Sequence, residues 1–406
     1  MRTAPPLVTT SDELTRVAGT ARAAGRLALD TEFVWERTYR PVLGVVQLAT
    51  PDACVIVDAV ALPDLSPLFP VLRDPDVPKV LHGGGQDLEI LSLLMGAPMR
   101  GVVDTQVEAA FLGHGLQVGL GVILERVARV KIRKDQTYTD WTRRPLKPEQ
   151  LAYAQADVVH LLALHDALRA ELERRGRLEW VEEELRALEA PERWTPTPDE
   201  ERYRSVKSWQ RLDPRELAVL REVAAWRERA ARRANIRPQF IANDAVLTTL
   251  AGRPLLELDE LRGVRGLSPG TVDRHGRALI AAMKAGVECP PDRWPQRPPR
   301  VRRQAPPTGL AALLRAAVQA VADRDALAPE VIASSRDLEA LVHVATGTKP
   351  DPEDDALHEP ALLHGWRRRL VGETLLAIAR GEIAMRYDPK RREVVGEPTA
   401  PTTPRA

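Results

Sequence analysis

Four acids and a tyrosine stand in three separated blocks, and their types suit chemistry at phosphorus. The blocks are Leu27-Ala28-Leu29-Asp30-Thr31-Glu32-Phe33, Leu81-His82-Gly83-Gly84-Gly85-Gln86-Asp87-Leu88-Glu89 and Tyr153-Ala154-Gln155-Ala156-Asp157. Asp30, Glu32, Asp87 and Asp157 can supply hard oxygen ligands to two divalent cations. Magnesium and manganese prefer carboxylate and water oxygens, so four acids without a cysteine or histidine cluster fit them and not zinc. A cation pair roughly 4 Å apart clamps the attacking and leaving oxygens of an in-line phosphoryl displacement. A phenol at Tyr153 can orient the attacking water or help take its proton. The chemistry implied is hydrolysis of a phosphodiester.

The elements that must position these groups follow from local pattern. Leu27 to Leu29 is an apolar run after Gly25 and reads as a buried strand. Strand side chains alternate faces, so Asp30 and Glu32 point the same way and repel unless a cation lies between them. Lys79 to Leu81 reads as a short strand, the three glycines as a tight turn, and Leu88, Ile90, Leu91 and Leu94 as the apolar face of the helix that follows. Asp87 falls in its first turn, where a carboxylate also suits the macrodipole. The glycines lack the Lys-Ser/Thr of a P-loop and the spacing of a dinucleotide fingerprint. A helix starts near Pro148 and is expected to reach Arg175; on it Tyr153 and Asp157, four apart, share a face. Taken singly, each block has an everyday reading: solvated acids at a strand end, a helix-start acid, a Tyr/Asp pair on a wet face. His82 reads as a packed or hydrogen-bonded histidine, and Asp104, before Thr105-Gln106, as a helix cap, with an indirect role at the site as the alternative.

Order, spacing and identity together resemble the DEDDy branch of 3′–5′ exonucleases. Leu43-Gly44-Val45-Val46-Gln47-Leu48 and Asp140-Trp141-Thr142-Arg143-Arg144-Pro145-Leu146, with Tyr153 to Asp157 after them, are similar to the bacterial ribonuclease D family. The resemblance runs over nearly the whole chain, and all five family positions are present. It implies that Asp30, Glu32, Asp87 and Asp157 are the metal ligands and that Tyr153 positions the nucleophile. It also implies an α/β, ribonuclease H-like exonuclease domain with a mixed sheet, followed by two all-α HRDC-like helical bundles. Candidate substrate contacts are Phe33, Arg37, Gln47, Trp141 and Arg143, with Trp35, Tyr39 and Arg144 nearby. Aromatic groups here could stack on bases and Arg37 could hold a phosphate. Gln47 reads equally as a buried amide bonded to backbone, and Trp141 equally as a residue packed under a loop.

The chain has 406 residues, 44% hydrophobic, enough for two or three domains with real cores. Its net charge of +1 does not announce a nucleic-acid binder, so any RNA contact must come from local patches. Cys54 and Cys289 lie far apart, which excludes a disulfide framework and points to a reducing cytoplasm. The N-terminus lacks the apolar run of a signal peptide, and no stretch is apolar enough to span a membrane.

The expected organisation is an exonuclease domain over residues 1–190, a proline-bearing linker over 191–212, a first helical module over 213–288, a Pro/Arg-rich linker over 289–308, a second, more degenerate module over 309–388, and a disordered tail over 389–406. In the first domain, Gly44 to Thr50 and Ala53 to Asp58, split by Pro51-Asp52, suggest a hairpin. Lys131 to Thr142 reads as a basic, substrate-facing loop, and Lys349 to His358 as a loop within the second module. Asp213-Pro214 reads as a helix cap followed by proline at the first helical position. Pro329 to Leu338 parallels Pro238 to Val246, as two related modules require.

The leading expectation is a metal-dependent 3′–5′ exoribonuclease using two Mg2+ or Mn2+ ions. Its expected targets, on the resemblance, are structured RNAs, tRNA precursors with 3′ extensions above all, and its expected state is a monomer. A DNA 3′–5′ exonuclease acting in repair is the alternative within the branch, although no polymerase or helicase segment is present. A non-catalytic nucleic-acid-binding protein that kept the fold is a third reading, and the retention of all four acids speaks against it.

Overall fold

The computed structural model describes residues 5–132, 139–296, 308–348 and 360–399. Part of the expected basic loop, the middle of the second linker, the Lys349–His358 loop and the end of the tail lie outside them. The chain divides into two compact units: Met1–Glu32 with Leu43–Trp194 and Arg300–Ala406, and Phe33–Val42 with Thr195–Pro299.

The main sheet of the first unit has, among the described residues, six strands, β1 (Leu7–Val8), β2 (Leu27–Val34), β3 (Val42–Ala49), β4 (Cys54–Asp58), β5 (Lys79–Leu81) and β6 (Val102–Asp104). Their order is β1-β4-β3-β2-β5-β6. β2 runs parallel to β5 and β5 to β6, whereas β3 and β4 are antiparallel, so the sheet is mixed as expected. The β3–β4 hairpin closes at Ala49↔Cys54 around Pro51-Asp52. β1 was not legible: two residues carry no period, and they become a strand only by pairing Leu7 with Ile56.

β2 is central and buried on both faces, which its apolar run demands. Leu27 and Leu29 join the same buried cluster as Leu88 and Leu91, from the helix Gly85–Met95. Ala28 joins the cluster that holds Val158 and Leu161 on the opposite face. The expected long helix from Pro148 is two, Pro148–Val158 and Leu161–Arg174, with a break that neither glycine nor proline marks.

Among the described residues, the C-terminal helices do not build a core of their own. Leu314, Ile332, Leu341, Trp366 and Leu375 belong to the same buried cluster as Phe111, Leu168 and Leu185. Ser334 caps the helix Ser335–Thr346 with a reciprocal box, its hydroxyl accepting from the Asp337 N–H at 3.1 Å while Asp337 accepts from the Ser334 N–H at 2.8 Å.

Two expectations are corrected. Polar, proline-rich composition predicts a disordered tail, yet Glu393–Pro398 (β8) pairs antiparallel with Ile383–Asp388 (β7). Asp388 accepts two turn N–H bonds, and Arg386 meets Glu397 across the strands at 2.6 Å. Prolines predict a linker over 191–212, yet this segment carries the turns Asp199–Ser205 and Trp209–Arg211. Tyr203, Val206 and Trp209 are buried in the core of the second unit. Isolated aromatics at no helical period gave no signal before the fold was known.

That second unit is helical. Its longest helix, Pro214–Ala234, starts at the expected Asp213 cap, which accepts from the Glu216 N–H at 2.8 Å while Glu216 returns the bond. It packs against Pro269–Val287, where Gly286 is required: a Cβ there would lie 2.4 Å from the Cα of Val219.

Candidate active site

One strand serves both faces of the sheet. By alternation Asp30 and Glu32 take the face of Ala28, towards the Pro148–Val158 helix, and Thr31 takes the other. Carboxylate oxygens of Asp30, Glu32 and Asp157 lie within 4.8 Å of one another. Asp87 enters from the first turn of Gly85–Met95, where the Thr31 hydroxyl donates to its Oδ1. The strand thus offers two acids to one helix and a hydroxyl to an acid on the other.

Like charges this close repel. A pair of unit charges 4 Å apart interacts by about 4 kcal/mol at an effective dielectric of 20. Burial, and then the charges of Asp87, Asp157 and Glu32, push the Asp30 carboxyl well above the usual range. Burial, followed by Asp157 and Asp87, pushes Glu32 up to about 8. Burial also raises Asp87, against the opposing Thr31 hydrogen bond. The charges acting on Asp30 and Glu32 all have one sign, so the cluster fits a cation. An all-oxygen donor set fits a hard divalent one.

Asp104 fixes where Asp87 stands. Its carboxylate accepts from the N–H groups of Gly83 (2.8 Å), Gly84 (3.0 Å) and Gln106 (2.8 Å). It therefore caps its own helix, as expected, and also ties down the turn that launches the Asp87 helix. Gly83 sits at φ +66°, and a Cβ on Gly84 would lie 2.6 Å from Leu81. The glycines are a tight turn. His82 is hydrogen-bonded as read, to Thr105 Oγ1 at 2.9 Å and the Val118 carbonyl at 2.8 Å.

Tyr153 is half-buried, its ring centroid 6.0 Å from that of Trp141. Trp141 is 1% exposed and clusters with Val45, Ile56 and Ala154. It packs beneath Tyr153 and does not line a channel, which corrects that expectation in favour of its structural alternative. Arg144 is also corrected. Its guanidinium pairs with Asp58 at 2.6 Å and donates to the carbonyls of Gly44 and Trp141, both at 2.8 Å, pinning the segment under the tyrosine. Burial works to raise the Asp58 carboxyl, but the Arg144 bond and two N–H donors hold it below its ordinary value.

Gln47 is fully buried, and among the described residues neither atom of its amide has a hydrogen-bond partner, so it is not the backbone-bonded glutamine it could have been. Phe33 is partly buried, and Arg37 and Arg143 are exposed.

Gly44 was missed as a site residue, although a glycine inside a strand marks a close backbone approach. A Cβ there would stand 2.5 Å from the Trp141 carbonyl oxygen and 2.8 Å from its Cβ. Gly44→Ala is therefore expected to displace Trp141 and, through it, Tyr153. The expected result is a loss of about 1–3 kcal/mol in chemical denaturation with a fall of about tenfold in single-turnover rate. An unchanged rate would show that the tyrosine does not depend on this support.

The comparisons with known proteins agree along the whole chain. Residues 5–173 match a 3′–5′ exonuclease domain, 216–283 an HRDC domain, and 309–375 the ribonuclease D C-terminal HRDC domain. Ribonuclease D of Gluconacetobacter diazotrophicus is 37% identical over 394 residues, covering 95% of this chain and 96% of that protein. Ribonuclease D of Granulibacter bethesdensis is 37% identical over 399 residues, 96% of each. The crystal structure of Escherichia coli RNase D, described as an exoribonuclease involved in structured RNA processing, superposes with a TM-score of 0.81 at 31% identity, over 93% of this chain and 99% of that one. With its acids gathered on one strand and two helices, and relatives matched end to end, the chain belongs to the ribonuclease D family of 3′–5′ exoribonucleases.

Proposed function

We propose that the protein trims RNA from its 3′ end, releasing nucleoside 5′-monophosphates one at a time, with Asp30, Glu32, Asp87 and Asp157 as ligands of two Mg2+ or Mn2+ ions. The observation that carries this reading is the cluster of Asp30, Glu32 and Asp157 oxygens within 4.8 Å, with Asp157 on a helix that also bears Tyr153 one turn away. When bound, the cations supply Lewis-acid activation of the attacking water and stabilise the leaving 3′ oxygen. Tyr153 holds the water in line with phosphorus through its hydroxyl. Thr31 and Asp104 keep Asp87 in place. Arg37 and Arg143 are exposed and suit phosphate contacts, and Phe33 suits stacking on the terminal base. Gln47 and Trp141 act from below, as buried support.

The substrates proposed are tRNA precursors with 3′ extensions and other structured RNAs. The description of the Escherichia coli relative as a processor of structured RNA supports this. A monomer working in the cytoplasm completes the reading. Among the described residues no helix is long and apolar enough to cross a membrane.

The test is a tRNA with a short 3′ extension, run beside a matched DNA strand, with Mg2+, Mn2+ or chelator. Metal-dependent release of mononucleotides from the 3′ end of RNA is expected. Tyr153→Phe is expected to lower the rate about 10²-fold while leaving Mn2+ affinity unchanged. Binding without trimming would sink the enzymatic reading, and faster attack on DNA would favour the repair alternative.

A further inference from the structure

The connection between β2 and β3 does not belong to the domain that carries those strands. Phe33–Val42 clusters with the helical unit Thr195–Pro299. It takes in the last two residues of β2, Phe33 and Val34, directly after Glu32, and beyond them is gripped at three places. The Arg237 guanidinium donates to the Trp35 carbonyl and stands 6.0 Å from the centre of the Trp35 ring. The Arg237 N–H donates to the Arg37 carbonyl at 3.1 Å. The Tyr39 hydroxyl donates to Glu228 at 3.0 Å, beneath the Arg232 guanidinium, which lies 5.5 Å from the Tyr39 ring centre and is itself held by Asp199 at 2.6 Å.

These contacts are built, not incidental. Glu228 is only 6% exposed, and a buried carboxylate is costly unless hydrogen-bonded. Asn235 ends the Pro214–Ala234 helix in the left-handed region, φ 48°, and the chain reverses there to bring Arg237 to the strap. Both strap carbonyls that Arg237 meets are ordinary acceptors of loop backbone, and the helical unit satisfies them.

We propose that the first helical module acts on the reaction by holding this strap, and that Arg237, Tyr39, Arg232 and Glu228 are positioning residues for Glu32. Trp35 lies three positions after Glu32. The irregular part of the connection, the seven residues 35–41, is a mobile loop when left to itself. A metal ligand at the mouth of such a loop loses the sub-ångström placement that two-metal chemistry needs. This role requires no contact between the module and RNA. It rests on the metal-site reading above.

The experiment compares full-length Arg237→Ala, Tyr39→Phe and Arg237→Lys with the unmodified protein in three measurements: hydrogen exchange of residues 33–42, Mn2+ affinity, and hydrolysis of an RNA dinucleotide. A dinucleotide presents only the scissile bond and its two nucleosides, so lost RNA contacts elsewhere do not register. In Arg237→Ala, strap exchange is expected to rise about tenfold, Mn2+ affinity to fall about fivefold and dinucleotide kcat to fall about tenfold with KM little changed. Arg237→Lys restores part of each. Tyr39→Phe, which removes one hydroxyl, gives smaller shifts in the same directions and keeps the test open if Arg237→Ala unfolds the module.

Unchanged strap exchange overturns the proposal, because something else then holds the strap. So does raised exchange with unchanged Mn2+ affinity and dinucleotide kcat, or a rise in dinucleotide KM with kcat unchanged. If the unmodified protein binds Mn2+ but hydrolyses nothing, the nuclease reading fails by itself, and the exchange and Mn2+ measurements still decide for or against the strap.

Discussion

Asp30→Asn lowers metal-dependent release of 3′ nucleotides by about 10³-fold or more, and in chelator the variant melts at a higher temperature than its parent. The two effects have one cause. Asp30 is half-buried, with Asp87, Asp157 and Glu32 close by, so its charge is what a cation needs and what the cation-free fold resists. Neutralising it removes a ligand and relieves repulsion at once. The sign with pH follows. Glu32 has an ordinary value of 4.5 and stands at about 8 in the folded protein, so the folded state holds more protons between those values. Stability of the chelated protein therefore falls as pH rises from about 5 to 8. Added Mg2+ or Mn2+ offsets that loss, most strongly at the upper end. Thermal melts at several pH values, with and without cation, for both proteins, check this. A chelated parent whose melting temperature rises over that interval, or an Asp30→Asn variant that melts lower than it, would contradict the charge argument even if activity were lost.

Trp366→Ala costs about 3–5 kcal/mol in chemical denaturation. The side chain is 0% exposed. Its ring lies edge-on to Phe111 at 5.0 Å and stacked on Trp180 at 5.3 Å, with the Arg367 guanidinium 4.4 Å above it. The indole N–H donates to Glu184 at 3.0 Å, and Glu184 also receives Arg367. Arg367 in turn donates to the carbonyls of Ile332 and Val331, at 3.2 and 3.1 Å. Truncation therefore opens a cavity between the C-terminal helices and the α/β domain and leaves Glu184 with one donor fewer. Because both sides share a single buried cluster, they are expected to unfold together. Trp366→Phe keeps most of the packing and loses less. A truncation cost under about 1 kcal/mol, or separate transitions for the two sides, would show that the shared core is not what joins them.

What was legible in the chain is what local geometry dictates. Alternation in β2 put Asp30 and Glu32 on one face, and helical period put Tyr153 one turn from Asp157, because both relations span fewer than five residues. The caps at Asp104 and Asp213 and the β3–β4 hairpin were readable for the same reason: a cap and a two-residue turn are set by neighbours. Partners distant in sequence were not readable. Thr31 meets Asp87 across 56 positions and Arg144 meets Asp58 across 86, and no periodicity encodes either. Trp366 reads as one apolar residue beside arginines until Phe111 and Trp180 surround it. The β2–β3 connection looked like a run of possible substrate contacts, yet its backbone and Tyr39 are held by helices nearly two hundred positions later. By itself the sequence determined the acids, the tyrosine and the elements that carry them. Only the tertiary structure decided which side chains support them, because burial and hydrogen-bond satisfaction depend on which surfaces the fold brings together.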